Sequence, residues 1–322
     1  MYDRGLSVLE QYGLGAKSSY RGRGALLCQT QIGLVLIREF TGSDKKLKKQ
    51  QELLLQLEEG CQYPVDQILA TEEGKLVSTD KDGISYVVRR WYEGRECDTR
   101  SREDILNGAF VLGTIHKYMH IQPEKDYFQV SLAEEYERHN RELRKIRKFI
   151  RTKRRQNSFE QYFLESVQWF LERGEEALDR LQSTGYENLR RQALERGEVC
   201  HGEYNQHNIL IGKGQTAVTN FDKFRHDTQV ADLYCFMRKI LEKNDWDKKL
   251  AHEMISSYDQ ARGLSAEGYE NLKIRFLYPE KYWKLANHYY NHNKAWISEK
   301  TIEKIIKLIN CKNAWHDLGN GL

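Results

Sequence analysis

The stretch His201-Gly202-Glu203-Tyr204-Asn205-Gln206-His207-Asn208-Ile209-Leu210, with Val218-Thr219-Asn220-Phe221-Asp222-Lys223 and Asp232 after it, holds the residue types that phosphoryl transfer uses. That reaction asks for little covalent chemistry. It needs an acid beside the accepting hydroxyl, oxygen ligands for magnesium and a cation on the phosphates. Glu203 supplies the acid. Asn208, five residues on, and a residue at 220–222, beyond an apolar run, supply oxygens of the kind magnesium prefers. Taken alone, His201 reads as a buried, satisfied histidine, and Asp232 as a brace for the loop.

The flanking sequence must position these groups. The first 92 residues read as strand-rich: Ala25 to Thr30, Leu34 to Arg38, Val65 to Ala70, Lys75 to Thr79 and Ile84 to Tyr92 are expected strands. Thr41-Gly42-Ser43-Asp44 offers a cap for one helix reaching about Glu59, with Leu47, Leu54, Leu55 and Leu57 on a helical pattern. After Glu93-Gly94 the texture turns helical. Ser101-Arg102-Glu103-Asp104 resembles a capping box, and Ile105, Ala109, Leu112, His116 and Met119 then fall on one face. A further helix is expected from near Ser158, and a terminal one around Ile302, Ile305, Ile306 and Ile309. Residues 197–233 between them read as irregular and strand-like. The expected division is a small lobe over 1–92 and a helical lobe over 93–322, with a ligand cleft at their boundary.

Composition narrows the function classes. The chain has 322 residues, 39% hydrophobic and 11% aromatic, which suits substantial cores and excludes a disordered chain. No apolar run approaches 18 residues, so no membrane span is expected, and the first residues lack the basic-then-apolar layout of a secretory signal. The net charge of +4, from 51 basic and 47 acidic residues, argues against nucleic acid as partner. Six scattered cysteines without a Cys-x-x-Cys fit free thiols in a reducing compartment, so synthesis in the cytoplasm is expected. One segment departs from the balance. Residues 138–155 carry Arg138, Arg141, Arg144, Lys145, Arg147, Lys148, Arg151, Lys153, Arg154 and Arg155, opposed only by Glu142, around an apolar stripe of Leu143, Ile146, Phe149 and Ile150. This reads as a basic amphipathic helix: a solvated face, or a docking surface for an acidic partner. Tyr282, Trp283, Tyr289, Tyr290 and Trp296, at helical spacing, read as packing.

The His-Gly-Glu-x-x-x-x-Asn run and the Asn-Phe-Asp that follows resemble the His-Gly-Asp-x-x-x-x-Asn…Ile-Asp-Phe motif of the aminoglycoside phosphotransferase and choline kinase superfamily. The resemblance implies a two-lobed, protein-kinase-like α+β fold: a small antiparallel-sheet lobe with one helix, and a larger, mainly helical lobe. It also implies roles. Gly22 and Gly24, in Tyr20-Arg21-Gly22-Arg23-Gly24, would form the hairpin turn over the phosphates. Arg38 would stand where such kinases carry the strand lysine, Glu52 would be its ion-pair partner, and Trp91-Tyr92-Glu93 would be the hinge. Glu203 would face the acceptor, with His201 bracing the loop; Asn208 with Asp222 or Asn220 would hold magnesium, and ATP would be the nucleotide. A narrower resemblance rests on Gly94-Arg95-Glu96-Cys97-Asp98, on Asn220 to Lys223, on Asp232 to Lys239 with Glu242 to Asp247, and on Tyr282 to Asn291 leading to Lys294-Ala295-Trp296. By these the chain is similar to the CotS family of spore coat proteins. That resemblance implies a place in the endospore coat, with other coat proteins or an acidic coat polymer as partners.

Three positions depart from a working kinase. Glu203 replaces the superfamily's aspartate, and an extra methylene displaces the acid by about an ångström, enough to cost about 100-fold in rate. Asn220 replaces the magnesium aspartate and loses its charge. Arg38 replaces lysine, and a planar fork does not occupy the place of a point charge. Asp222, two residues past Asn220, would face the same side if both lay on a strand. Two readings follow: a degenerate, non-catalytic kinase fold used as a binding or scaffolding module in sporulation, or an active Mg-ATP-dependent phosphotransferase acting on a hydroxyl of a small molecule or coat polymer.

Overall fold

A computed structural model describes residues 5–22, 24–292 and 298–322. Arg23, Lys294, Ala295 and Trp296, named above, lie outside them. In chain order the elements begin with β1 (Ser18–Gly22), β2 (Ala25–Thr30), β3 (Gly33–Glu39), α1 (Asp44–Gly60), β4 (Ser78–Thr79) and β5 (Ser85–Arg90). These strands form one antiparallel sheet of order β1-β2-β3-β5-β4. Alternation along β3 sends Val35 and Ile37 to one face, where Val8, Leu9 and Tyr12 of a short N-terminal 3-10 helix cover them. It sends Leu34, Leu36 and Arg38 to the other face, toward the rest of the molecule.

Two expected strands are shorter than their sequence suggests. Only Ser78–Thr79 pairs within 75–79. In 65–70, Val65 and Ile68 make single bridges, to Val218 and Arg89 respectively, because this segment crosses from α1 to the sheet rather than lying along it. In α1, Leu47, Gln50, Leu54 and Leu57 are buried while Leu55 is 44% exposed, so Leu55 is not part of the inner stripe.

The helical lobe comprises β6 (Arg95–Glu96), α2 (Arg102–His116), α3 (Leu132–Arg151), α4 (Ser158–Ser183), α5 (Tyr186–Glu195), β7 (Val199–Cys200), β8 (Ile209–Ile211), β9 (Thr216–Val218), β10 (Arg225–His226), α6 (Val230–Leu241), α7 (Lys248–Arg262), α8 (Ala266–Leu277), α9 (Glu280–His292) and α10 (Glu299–Gly321). β6, β8 and β9 make a small sheet under the cleft, and β10 pairs with β7. Ser101 caps α2 by accepting from the Asp104 backbone N–H, but the Asp104 carboxylate turns to Arg95 and to the Asp98 N–H, so the box is half formed. A complete box stands at α4, where Asn157 and Glu160 bond each other's backbone. It sets a turn at 152–157, so the basic segment is helical only to Arg151. Tyr282 and Tyr289 are core residues: Tyr282 stacks on Phe170 at 3.9 Å, and Tyr289 lies 4.4 Å from Phe159. Burying rings of this size stabilises by roughly 2–3 kcal/mol each.

Candidate functional site

The loop after β7 is built around a buried carboxylate. Asp232, in the first turn of α6, is 1% exposed and accepts from the backbone N–H of His201 (2.5 Å) and of Gly202 (3.0 Å). His116 of α2 approaches the same carboxylate through Nε2 at 3.3 Å. Burial alone would raise the Asp232 carboxyl, but the His116 contact and neighbouring cations outweigh it and hold it below the usual carboxylate range. Gly202 has φ +81°, and a Cβ there would sit 1.9 Å from the Lys223 carbonyl oxygen, so only glycine fits this crossing.

His201 is fully buried and braces the loop twice. Its Nε2 donates to the Thr219 carbonyl (3.0 Å), and Nδ1 accepts from the Glu203 N–H (3.2 Å). Burial lowers its pKa, which suits this neutral tautomer. The Glu203 carbonyl in turn accepts from the Asn205 amide (2.7 Å) and the Asn208 amide (2.9 Å). The loop backbone is thereby fixed, and the Glu203 carboxylate projects from it, 3.4 Å from Lys223 Nζ and 3.5 Å from Asn220 Nδ2.

Opposite, the chain leaves β9 at Val218 and turns. Asn220 is in the left-handed region (φ 71°), and 221–223 form one 3-10 turn. The strand alternation expected for Asn220 and Asp222 therefore does not apply. The turn nevertheless brings both to one guanidinium: Arg38 Nη1 lies 2.9 Å from Asp222 Oδ2 and 3.4 Å from Asn220 Oδ1. The other Asp222 oxygen accepts from Arg89 (2.8 Å) and from the Gln50 amide (3.1 Å). Burial would raise the Asp222 carboxyl, but Arg89, Gln50 and Arg38 together hold it below its usual range.

The Arg38–Glu52 ion pair is a correction. Glu52 pairs with Lys49 at 2.9 Å on the half-exposed side of α1. The inward residue is Gln50, and two residues on a helix is a rotation of about 200°, so Glu52 faces away. Arg89, Gln50 and Asp66 are site residues that sequence reasoning missed. Arg89 is 6% exposed and touches Asp222, Gln50 (3.1 Å) and Asp66 (3.4 Å). Asp66, also buried, accepts from the Asn220 N–H at 3.0 Å; burial pushes its carboxyl up to about 6, against the pull of Arg89. Arg89 shares the inward side of β5 with Val87, but Tyr86 and Val88 on the other side are buried as well, so alternation in the sequence does not single it out.

Gly22 ends β1, and Gly24, with φ +69°, follows it in the β1–β2 turn. An open cavity of about 1010 Å³ adjoins this turn at the sheet's edge, lined by Arg21, Gly22, Gly24, Arg38 and Thr41 and by Leu26, Ile37 and Tyr86 from the face that the N-terminal 3-10 helix covers. On the sheet's other face, Leu27 and Leu36, Trp91, and Leu210 and Ala217 from β8 and β9 form one apolar cluster, each below 10% exposed. Among the described residues no group of three or more His, Cys, Asp or Glu has metal-site geometry. Nor is any described helix long and apolar enough to cross a membrane.

Known structures share this architecture. An aminoglycoside phosphotransferase from Alicyclobacillus acidocaldarius superposes with a TM-score of 0.87 at 16% identity, covering 98% of this chain and 93% of that one. A spectinomycin phosphotransferase, solved with ADP and spectinomycin, gives 0.67 at 14% identity over 98% of both chains. Choline kinase LicA from Streptococcus pneumoniae gives 0.51 at 12% over 94% of both. At these identities the likeness establishes the kinase-like fold. In sequence, spore coat protein S of Bacillus subtilis (strain 168) is 26% identical over 164 residues, 49% of this chain and 47% of that protein, so the match spans about half of each. The family model described as "Spore coat putative kinase YutH" matches residues 6–317, and the chain belongs to that family.

Proposed function

We propose that the protein is a component of the spore coat that uses a kinase-like fold as a non-catalytic binding or scaffolding module, made in the cytoplasm and assembled into the coat with other coat components. The observation that carries this reading is the state of Asp222. A magnesium site needs carboxylate oxygens that are free and net negative. Here both oxygens of Asp222 are engaged by guanidiniums, Arg38 on one and Arg89 on the other. Two fixed positive charges stand where a dication would have to approach, and the neighbouring Asn220 brings no charge to offset them. This donor set does not fit magnesium unless Arg38 leaves it. The buried cluster of Leu27, Leu36, Trp91, Leu210 and Ala217 supports the same reading, because the lobes already bury apolar surface between the sheet and β8–β9.

A second reading, magnesium-dependent transfer from ATP to a hydroxyl, is favoured by one feature: the loop bearing Glu203 and Asn208 is fully braced, and a cavity opens beside Arg38 and the Gly22–Gly24 turn. In it Glu203 positions the acceptor, Asn208 with Asp222 or Asn220 holds the metal, and Arg38 contacts phosphates. Calorimetric titration of ATP, with and without magnesium, separates the two. The first reading expects no magnesium-dependent heat at millimolar ATP. Binding that requires magnesium would overturn it and start the search for an acceptor.

A further inference from the structure

The cations of the α3 segment divide into two sets. Arg138, Arg141, Arg144 and Lys153 reach the carboxylates of Glu135, Glu137, Glu175 and Glu160, and Arg147 donates to the Gln168 amide oxygen at 2.5 Å. The other five do not. Lys145, Lys148, Arg151, Arg154 and Arg155 are exposed, and none has a carboxylate at ion-pair distance among the described residues. They form a row: Lys145, Lys148 and Arg151 follow one another at i, i+3 and i+6 on α3, and Arg154 and Arg155 extend it into the turn before α4.

Local structure accounts for only part of this row. Lys148 and Arg151 lie in the last turn of α3, where a cation complements the helix dipole. Lys145 lies before that turn, and Arg154 and Arg155 lie beyond the helix. Like charges at i, i+3 repel by a few tenths of a kcal/mol each, which offsets part of that gain, and Lys145, Arg154 and Arg155 take no share of it. The row is also bounded. At its amino-terminal end stand Glu137 and Glu175, with their arginines already matched. From Lys145 to Arg151 the helix rises about 9 Å, and Arg154 and Arg155 follow within four residues. An extended polypeptide covers the helical part in about three residues, so a segment of a few residues reaches the row. Beyond Lys145 the cations Arg141 and Arg144 are already paired with Glu137 and Glu175, so a long uniform polyanion would run on past the free cations, whereas a short acidic segment finds them along its whole length.

We propose that this row docks a short, carboxylate-rich polypeptide segment of another coat component. The proposal rests on the scaffolding reading and supplies its partner chemistry. The test is fluorescence anisotropy of labelled hexaglutamate with the full chain at low salt, alongside a labelled DNA hexamer. The peptide is expected to bind, with affinity falling as salt rises. A Lys148→Glu/Arg151→Glu variant, its fold checked by thermal melting, is expected to bind about tenfold more weakly. A Lys249→Glu variant, altered on α7, should bind as the parent does. Peptide affinity unchanged in the double variant, no peptide binding at low salt, or tighter binding of the DNA would each overturn the proposal. None of these outcomes bears on magnesium or ATP, so the calorimetric test of the cleft stands apart from it.

Discussion

The loop carrying Glu203 and the turn carrying Asp222 lie side by side, with Asn220 3.5 Å from Glu203, yet different interactions hold them. The loop is braced from within the helical lobe: two backbone N–H groups on Asp232, the His201 ring on Thr219 and Glu203, and two amides on the Glu203 carbonyl. The turn is held from the other lobe, by Arg38 and Arg89 of the sheet and Gln50 of α1. One region is held by backbone contacts within its own lobe. The other has its geometry because protein cations occupy it. Asp222 is thus a contact between the lobes, while the Glu203 loop belongs to one lobe alone.

The sharpest way to break the first region is Asp232→Ala. It strips the partner from two buried N–H groups and from His116, and a loss of roughly 3–5 kcal/mol is expected by urea denaturation. A loss under about 1 kcal/mol would mean the loop does not depend on that carboxylate. In the second region Arg89→Met leaves Asp66 and Asp222 facing each other without their shared cation, and about 3 kcal/mol should be lost at neutral pH. That loss should shrink toward pH 5, as Asp66 takes a proton. A loss that did not vary with pH would place the damage in packing instead.

The first region was legible in the sequence and the second only in part, for a physical reason. The His-Gly-Glu-x-x-x-x-Asn loop is local: Asn208, His201 and Gly202 act on backbone groups a few residues away, so spacing carries the information. Arg89 meets Asp222 across 133 residues, and Asp66 meets Asn220 across 154. Nothing in the run Tyr86-Val87-Val88-Arg89-Arg90 says which arginine turns inward until the register of β5 on β3 is known. The misplacement of Glu52 has the same origin. A helix was expected there, but its rotation about its own axis is set by Leu47, Leu54 and Leu57 packing against the rest of the molecule.

Asp66→Asn sharpens the comparison by titration. The folded carboxyl, at about 6, lies above its unfolded value of about 3.9. Asp66 therefore contributes its full stability below about pH 4 and loses it as pH rises through 6. The Asp66→Asn variant keeps an acceptor for the Asn220 N–H but has no proton to lose. Between pH 4 and 7 the parent should fall by about 2–3 kcal/mol relative to the variant. Parallel stability curves would mean that Asp66 is ionised throughout, with Arg89 stronger than burial.

The smallest expected effect is that of Arg38→Lys. Arg38 and Asp222 side chains are 34% and 40% exposed, so their pair is screened by water and salt, and about 1 kcal/mol or less should be lost. The difference should narrow further in molar salt. An ammonium is a compact charge and cannot present the guanidinium's fork to Asn220 and Asp222 together. Arg89, buried and bonded to three partners, remains in the variant and keeps Asp222 neutralised. The two arginines therefore do unequal work: Arg89 holds the turn in place, and Arg38 covers its outer oxygen. A loss of 2 kcal/mol or more from Arg38→Lys would reverse that ranking and make the outer arginine the anchor between the lobes.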